Sequence, residues 1–406
     1  MSRDVLNLWL HGQHLGEIEQ LRNGRSRLRF ADEATARWGM GTHLLSFSLP
    51  LTSRRVESQA LEDYLDNLLP EGAVRVQLEQ RHRVRPGDTF GLLRHIGAEC
   101  AGAIQLAAAD EPPTGHLVPL SDAEVDRIVL ELPTLTAPAG EEVTASLGGV
   151  QSKVLLTRAE QGWAWPASGA VSTHIVKPEP SDPQTAIPTI VEWEHWTMQL
   201  ARAAGLPAAS SELVRFADRL ALVVERYDRV AGRRLHQENF AQALGIRPGG
   251  KYEPADQQAS RLSRIAAGPG SEAHDPAGFR RELLQLVTFN VIVGNGDAHA
   301  KNYSMIITDG LFSLAPAYDT APVFCLNDRF SNFGMRLAGQ RSLKYLTGQH
   351  LVDEATSWGL GERAARDVIA ETAESVRDAL RSAPAEPSDH DVSGRIERRA
   401  IELADS

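Results

Sequence analysis

The sequence predicts an α+β protein with a mixed α/β start, a strand-rich middle and a mainly helical last part. Three observations predict it. Short strand patterns recur up to about residue 225, among them Leu6–Leu10, Ser152–Thr157, Ser172–Val176 and Leu220–Val224. Helical spacing takes over from Phe279, and the chain past Leu337 reads as mainly helical. Between these parts lie breaks rich in proline and glycine. At 406 residues the chain is longer than one hydrophobic core usually grows, so two or three packed units are expected.

Leu6–Leu10 and Gly16–Glu19 read as a hairpin, and Leu44–Leu49 as a strand ended by Pro50. Helical patterns follow at Ala60–Leu69 and Phe90–Ile96. Pro112, Pro113 and Gly115 break the pattern, and 132–141 is a second loose region, which sets a boundary near residue 142. A short helix around Asp122–Leu130 lies within that connection. Two strands come next, Ser152–Thr157 and Ser172–Val176, then a loop over Pro178–Pro188 with four prolines. Glu192–Ala204 fits a helix, since Trp193, Trp196, Leu200 and Ala204 recur at helical spacing before Gly205 and Pro207. Leu213–Phe216 and Leu220–Val224 form a hairpin, and the second strand is apolar on both faces, as a central strand is. Ile246–Pro276 reads as a long loop rich in glycine and proline. Phe279–Val293 is a helix that stops at Gly294.

The 42 basic and 53 acidic residues leave a net charge of −11, which argues against broad phosphate-driven nucleic-acid binding by this chain. The basic run Arg81–Arg85 reads as solvated loop charge. Cys100 and Cys325 offer no C-x-x-C spacing, so a reduced, cytoplasmic protein with no membrane partner is expected. No stretch approaches 18 uninterrupted apolar residues.

Asn295–Asn302 reads N-G-D-A-H-A-K-N. Asp297 precedes Asn302 by five residues, the spacing that links base and metal ligand in the catalytic loop of a protein kinase. Phosphoryl transfer needs a carboxylate beside the attacking hydroxyl and oxygen ligands for magnesium. Lys301 stands beside the pair, ready for a phosphate. A strand pattern, an Asp309-Gly310 turn and a return strand follow, and then Tyr318-Asp319, where kinases place a metal-binding aspartate. Taken alone, Asp and Asn near glycines also simply cap turns. His299 has two readings, a phosphate contact or packing under the loop.

Ser146–Lys153 (SLGGVQSK) places Gly148 and Gly149 before a strand, where backbone N–H groups can approach phosphate; an ordinary hairpin turn reads the same way. Lys177 ends the next strand and resembles the strand lysine of kinases, with Glu194 as an ion-pair candidate; both also suit solvated positions. Glu225-Arg226-Tyr227 follows the central strand as a kinase hinge does. The alternative there is a surface salt-bridge cluster.

Together these segments resemble one family, the HipA-type toxin kinases. The resemblance rests on Ser146–Lys153, Thr173–Pro178 (THIVKP), Glu225–Arg229 (ERYDR), His236–Gly245, Lys251-Tyr252-Glu253, Asn295–Ser304 and Leu314–Asp319 (LAPAYD), in family order. The beginning of the chain resembles the family's N-terminal subdomain through Leu45–Leu51, Asp66–Gly72 and Gly97–Leu106. The resemblance implies a bilobal protein-kinase-like fold: subdomain 1–108, connection 109–141, N-lobe and hinge 142–229, helical C-lobe 230–406. It implies ATP binding by Gly148, Gly149, Val150, Gln151, Ser152, Lys153, Lys177, Glu225, Arg226, Tyr227, His299, Ala300, Lys301, Asn302, Tyr318 and Asp319. Asp297 becomes the catalytic aspartate, Asn302 and Asp319 the Mg2+ ligands, and Ser146 the autophosphorylated serine. The implied protein substrate is an aminoacyl-tRNA synthetase, glutamyl-tRNA synthetase first. The implied partner is a small helix-turn-helix antitoxin (HipB-like), through which alone the chain meets operator DNA. Trp193 departs from the family's usual asparagine, and Pro178–Pro188 is individual to this chain. Two other classes fit the same residues, a nucleotide-binding co-repressor without catalysis and a small-molecule kinase.

Overall fold

The computed structural model of the chain describes residues 4–145, 147–149, 151–182, 185–255 and 259–405. It falls into two compact units: the first holds 1–178, 214–248 and 306–310, the second 179–213, 249–305 and 311–406. The fold class is α+β, as the sequence predicts. The boundary expected near residue 142 lies inside the first unit.

In the first unit β1 (Val5–Leu10) and β2 (Gln13–Gln20) turn at His11 and Gly12, whose φ values are 51° and 73°. That left-handed pair matches the twist of the strands it joins. β3 (Ser26–Phe30) pairs with β2, and β4 (Ile104–Ala107) returns beside β1, giving the order β3-β2-β1-β4. Leu6, Leu8, Leu10, Ile18, Leu28 and Phe30 fill one core with residues of α2 (Gln59–Asn67) and α4 (Thr89–Ile96). Both helices were expected. Each has its N-cap, Ser58 accepting from Leu61 N at 3.2 Å and Asp88 from Gly91 N at 2.9 Å. α1 (Asp32–Trp38) is a short surface helix. α3 (Gly72–Arg81) is not in the sequence reading, because only Leu78 and Glu79 are buried and the apolar period is faint. An Arg75–Glu79 pair one turn apart, at 2.9 Å, helps to hold it.

The second sheet takes β5 (His116–Leu120), β6 (Val154–Ala159), β7 (Gly162–Ala167), β8 (His174–Pro178), β9 (Ser211–Phe216) and β10 (Arg219–Glu225), in the order β5-β7-β6-β8-β10-β9. β5 and β7 are additions to the sequence reading. β10 is central, as its all-apolar pattern requires: Ala221, Leu222 and Val223 are buried. The expected helix before β6 is α5 (Asp122–Glu131), started by a Ser121/Glu124 capping box.

Leu44–Leu49 is not a strand; only an isolated Ser46↔Leu49 bridge forms there. One backbone N–H that a ladder would use, that of Phe47, goes to a buried side chain instead. Ser46 Oγ lies 2.5 Å from Glu238 Oε2, and Phe47 N donates to Glu238 Oε1 at 2.9 Å. Ser46 Oγ in turn meets Ser48 Oγ at 2.9 Å, and Ser48 Oγ donates to Gln242 O at 2.9 Å. This relay lets a protonated Glu238 donate into it, and burial pushes its pKa up to about 8. Below the unfolded pKa near 4.5 both states are neutral at this group. Above it the unfolded chain ionises first, so this group's contribution falls as pH rises from there to about 8. The slope is at most about 1.4 kcal/mol per pH unit. Urea unfolding at pH 6 and pH 8 is expected to show a smaller loss of stability in Glu238→Gln than in the wild type; an equal loss rules out a neutral Glu238.

In the second unit α6 (Ile190–Ala203) buries Trp193, Trp196 and Leu200, as its spacing predicts. Of the expected proline loop, Pro178 closes β8, and Pro183 and Gln184 lie outside the described residues. The stretch 246–276 departs from expectation. It holds a 3-10 turn at Pro248–Gly250, a helix over Arg261–Ala267 and a 3-10 turn at Pro269–Glu272. Ser260 caps the helix by accepting from Ser263 N at 2.9 Å, and Leu262, Ile265 and Ala266 are buried. The surrounding glycines and prolines hide this short apolar face. Helices at Gly348–Ser357, Glu362–Leu380 and Val392–Ala404 make the last part mainly helical.

Candidate active site

The helix Pro276–Val293 delivers the central loop of the second unit. Asp275 caps it, accepting from Ala277 N at 3.1 Å and Gly278 N at 3.0 Å, and Pro276 opens the first turn. It stops at Gly294, left-handed at φ 73°, whose N–H returns to Asn290 O and Val291 O. The loop then folds on itself. His299 N donates to Asp297 O at 2.7 Å, Asn302 N to His299 O at 2.9 Å, and Asn302 Nδ2 to Asp297 O at 2.9 Å. The amide of Asn302 is thereby oriented.

Two glycines seat this loop. A Cβ on Gly296 would lie 2.1 Å from Phe330 O, and one on Gly334 would lie 2.5 Å from Ala298 C and O and from His299 N. These are backbone atoms that cannot swing away. Gly334→Ala is therefore expected to destabilise the protein by about 1–3 kcal/mol, read by urea unfolding. A neutral result would show that the loop tolerates displacement.

Asp297 presents a carboxylate about half exposed, while Ala298, His299 and Ala300 are buried. His299 Nε2 is 4.0 Å from Asp297 Oδ1, and its buried Nδ1 has no hydrogen-bond partner. Burial holds the imidazole below its ordinary pKa against the pull of Asp297, so it is neutral near pH 7. Of the two sequence readings of His299, packing under the loop is the one its burial fits, and one ring nitrogen is unpaired. Tyr252 Oη donates to Asp297 Oδ1, and its ring stands edge-on to His299 at 5.1 Å.

The expected hairpin is present over Ser304–Thr308 and Leu311–Leu314, with φ 51° at Asp309 and 84° at Gly310. It returns Tyr318 to the loop, where its hydroxyl donates to Lys301 O at 2.9 Å and meets Ser304 Oγ at 2.6 Å. Asp319 follows at φ 55°, a left-handed conformation unusual for a residue with a side chain.

The other predicted residues belong to the first unit. Gly149 has φ 115°, and its carbonyl accepts from Glu71 N at 3.0 Å. Lys153 Nζ donates to Gly148 O at 2.9 Å, the Gln151 side-chain nitrogen is buried without a partner, and Ser152 is partly buried. Ser146 and Val150 lie outside the described residues. Lys177 is buried on β8 opposite Leu222, and Glu225 is exposed at the end of β10. Tyr227 donates its hydroxyl to Gln237 Oε1.

Arg226 differs most from expectation. Its guanidinium is 1% exposed and fully engaged: Asp228 at 2.8 and 2.9 Å, Glu99 at 3.2 Å, Ser172 Oγ at 2.7 Å and Cys100 O at 3.0 Å. Arg229 and Arg234 also reach Glu99, at 2.9 and 2.6 Å. The cluster weighed in the sequence as a surface feature is buried, and its key carboxylate is supplied from residue 99. The Arg226 side chain therefore has no free donor to offer a nucleotide, and its backbone N–H also bonds Thr173 O, at 2.9 Å.

Sequence reasoning assigned no role to Tyr252, Glu253, Arg261 or Gly334. Lys251-Tyr252-Glu253 was noticed as a motif, but only the fold shows that it adjoins Asp297. Among the described residues no helix is long and apolar enough to cross a membrane, and no three His, Cys, Asp or Glu residues gather as a metal site.

A family model described as HipA-like C-terminal domain matches residues 145–380, and one described as HipA N-terminal domain matches residues 6–107. The Sinorhizobium fredii protein named “Putative kinase Y4mE” is 33% identical over 404 residues, covering 94% of this chain and 93% of that one. The serine/threonine-protein kinase toxin HipA of Shewanella oneidensis is 31% identical over 348 residues, covering 80% and 77%. Among solved structures, the Shewanella oneidensis MR-1 complex of HipA, HipB and its operator DNA matches with a TM-score of 0.79 at 27% identity, covering 98% of this chain and 96% of that one.

Proposed function

The chain belongs to the HipA family of kinase toxins, and on that premise we propose that it transfers the γ-phosphate of Mg-ATP to a serine of a protein. The observation that carries the reading is the folded loop Asp297–Asn302, which holds one exposed carboxylate beside one oriented amide. Asp297 orients the acceptor hydroxyl and takes its proton. Asn302 Oδ1 and the Asp319 carboxylate are hard oxygen donors of the kind magnesium takes, and they would hold it. Bound there, Mg2+ neutralises charge developing between the phosphates. His299, Ala300, Lys301 and Tyr318 support that loop, and the unpaired His299 nitrogen is a phosphate contact.

In the first unit, Gly148 through Lys153 supply backbone N–H groups to phosphate, Lys177 a cation, and the backbone of Glu225 through Tyr227 the adenine contacts. Ser146 is the site of self-phosphorylation that silences the enzyme by adding negative charge beside this segment. The substrate is an aminoacyl-tRNA synthetase, with glutamyl-tRNA synthetase the first to test, and growth stops because tRNA charging stops. A small HipB-like antitoxin binds the chain and supplies the basic DNA surface that a chain of net charge −11 lacks.

The test is radiolabel transfer from γ-labelled Mg-ATP to purified synthetases, with mass spectrometry of the chain itself. Labelled serine on a synthetase and on Ser146 is expected. Nucleotide binding without any label transfer would overturn the kinase reading in favour of a co-repressor.

A further inference from the structure

Tyr252 stands where an acceptor hydroxyl must stand. Any serine that Asp297 activates has to donate its hydroxyl hydrogen to that carboxylate, and in this structure Tyr252 Oη makes that bond, to Asp297 Oδ1. Resting on the kinase reading above, we propose that Tyr252 is a placeholder for the substrate hydroxyl, occupying Asp297 at rest and swinging aside when a serine docks.

The backbone under Tyr252 is fixed, while its ring is not enclosed. Arg261, 2% exposed, donates to Lys251 O at 2.6 Å and Gly250 O at 2.7 Å. Glu253 is fully buried; it accepts from Arg261 N at 3.1 Å and Arg336 N at 2.9 Å, and its own N–H donates to Gly334 O at 3.0 Å. Arg341 adds a bond to Glu253 O at 2.8 Å, and Ala300 N donates to Lys251 O at 3.2 Å. Motion of the main chain is thus expensive, whereas rotation about the side-chain torsions leaves it in place. Tyr252 is 45% exposed, with its ring edge-on to His299 and 5.9 Å from the Lys251 ammonium. A residue needed only for packing would be enclosed like its neighbours Glu253 and Arg261.

A placeholder lowers apparent affinity for the acceptor by the fraction of time it leaves the site. It also keeps water off the carboxylate, and so suppresses idle ATP hydrolysis. Removing the hydroxyl while keeping the ring should release both restraints.

The experiment uses the full chain, γ-labelled Mg-ATP and water as the acceptor, with phosphate release as the readout. Tyr252→Phe is expected to release phosphate about tenfold faster than wild type, the effect of losing one hydrogen bond to a charged group, with KM for ATP unchanged. With dephosphorylated casein as a probe acceptor, KM for casein falls and kcat holds. Adding Asp297→Asn to Tyr252→Phe returns release to background. If the phenylalanine variant does not fold, Tyr252→Met must show the same rise. A folded Tyr252→Phe that is as slow as wild type, or slower, overturns the proposal, as does phosphate found on Tyr252 itself. If wild type and variant alike show neither turnover nor a Mg-ATP-induced rise in Tm, the kinase reading fails instead.

Discussion

Asp297→Asn is expected to lower phosphoryl transfer about a thousandfold while leaving the fold and Mg-ATP binding in place, since a positioned general base contributes about 10²–10⁴-fold. The substitution keeps size and shape. Its amide oxygen can still accept from Tyr252, and the backbone bonds that close the loop, from His299 N and Asn302 Nδ2 to residue 297 O, do not involve the side chain. Only the capacity to take a proton is lost. Radiolabel transfer should therefore collapse, while the rise in Tm on adding Mg-ATP, a mass-action effect of binding, should persist. Activity above about a tenth of wild type would exclude Asp297 as the base. Loss of the Tm rise as well would show that it holds nucleotide rather than the acceptor.

Glu99→Gln should be the most destabilising of the substitutions considered, at about 3–5 kcal/mol, because it removes a charge from a buried network and strands its partners. Glu99 is fully buried and meets Arg226, Arg229 and Arg234 at 3.2, 2.9 and 2.6 Å. Burial alone pushes its carboxyl up, but Arg229, Arg226 and Arg234 outweigh burial and hold it below the usual range. A carboxylate with a lowered folded pKa contributes stability above its unfolded pKa near 4.5, and that contribution is lost as pH falls through the folded value. The deficit of the Gln variant should therefore be full at neutral pH and shrink on acidification. Asp228 then remains as a carboxylate partner of Arg226 and Arg229, which hold it well below its ordinary pKa against burial. Urea unfolding at pH 7 reads the loss directly. Arg381→Ala is the control: its pair with Asp378 at 2.9 Å is exposed and should contribute no more than about 0.5 kcal/mol. Equal small losses in the two variants would show that the buried cluster is solvated in solution.

What the sequence determined by itself is what short-range chemistry encodes. The apolar spacing of Phe279–Val293 marks a helix, and Gly294 stops it. Asp309-Gly310 turns a hairpin because two adjacent residues take left-handed backbone. Asp297 and Asn302 are legible together because five residues of loop hold both, and the bond between them closes inside that loop. The tertiary structure decided the pairings between distant residues. Glu238 engages Ser46 from 192 residues away, so an apolar stretch shaped like a strand never joins a ladder. Glu99 reaches Arg226 across 127 residues, which turns an apparent surface cluster into a buried one. Tyr252 meets Asp297 across 45 residues, and no local pattern marks a tyrosine as the neighbour of a carboxylate. Helix caps and turns are satisfied within a few residues, so composition and spacing reveal them. A buried charge or a shared hydrogen bond is satisfied by whichever partner the fold brings near, and that partner is set by packing.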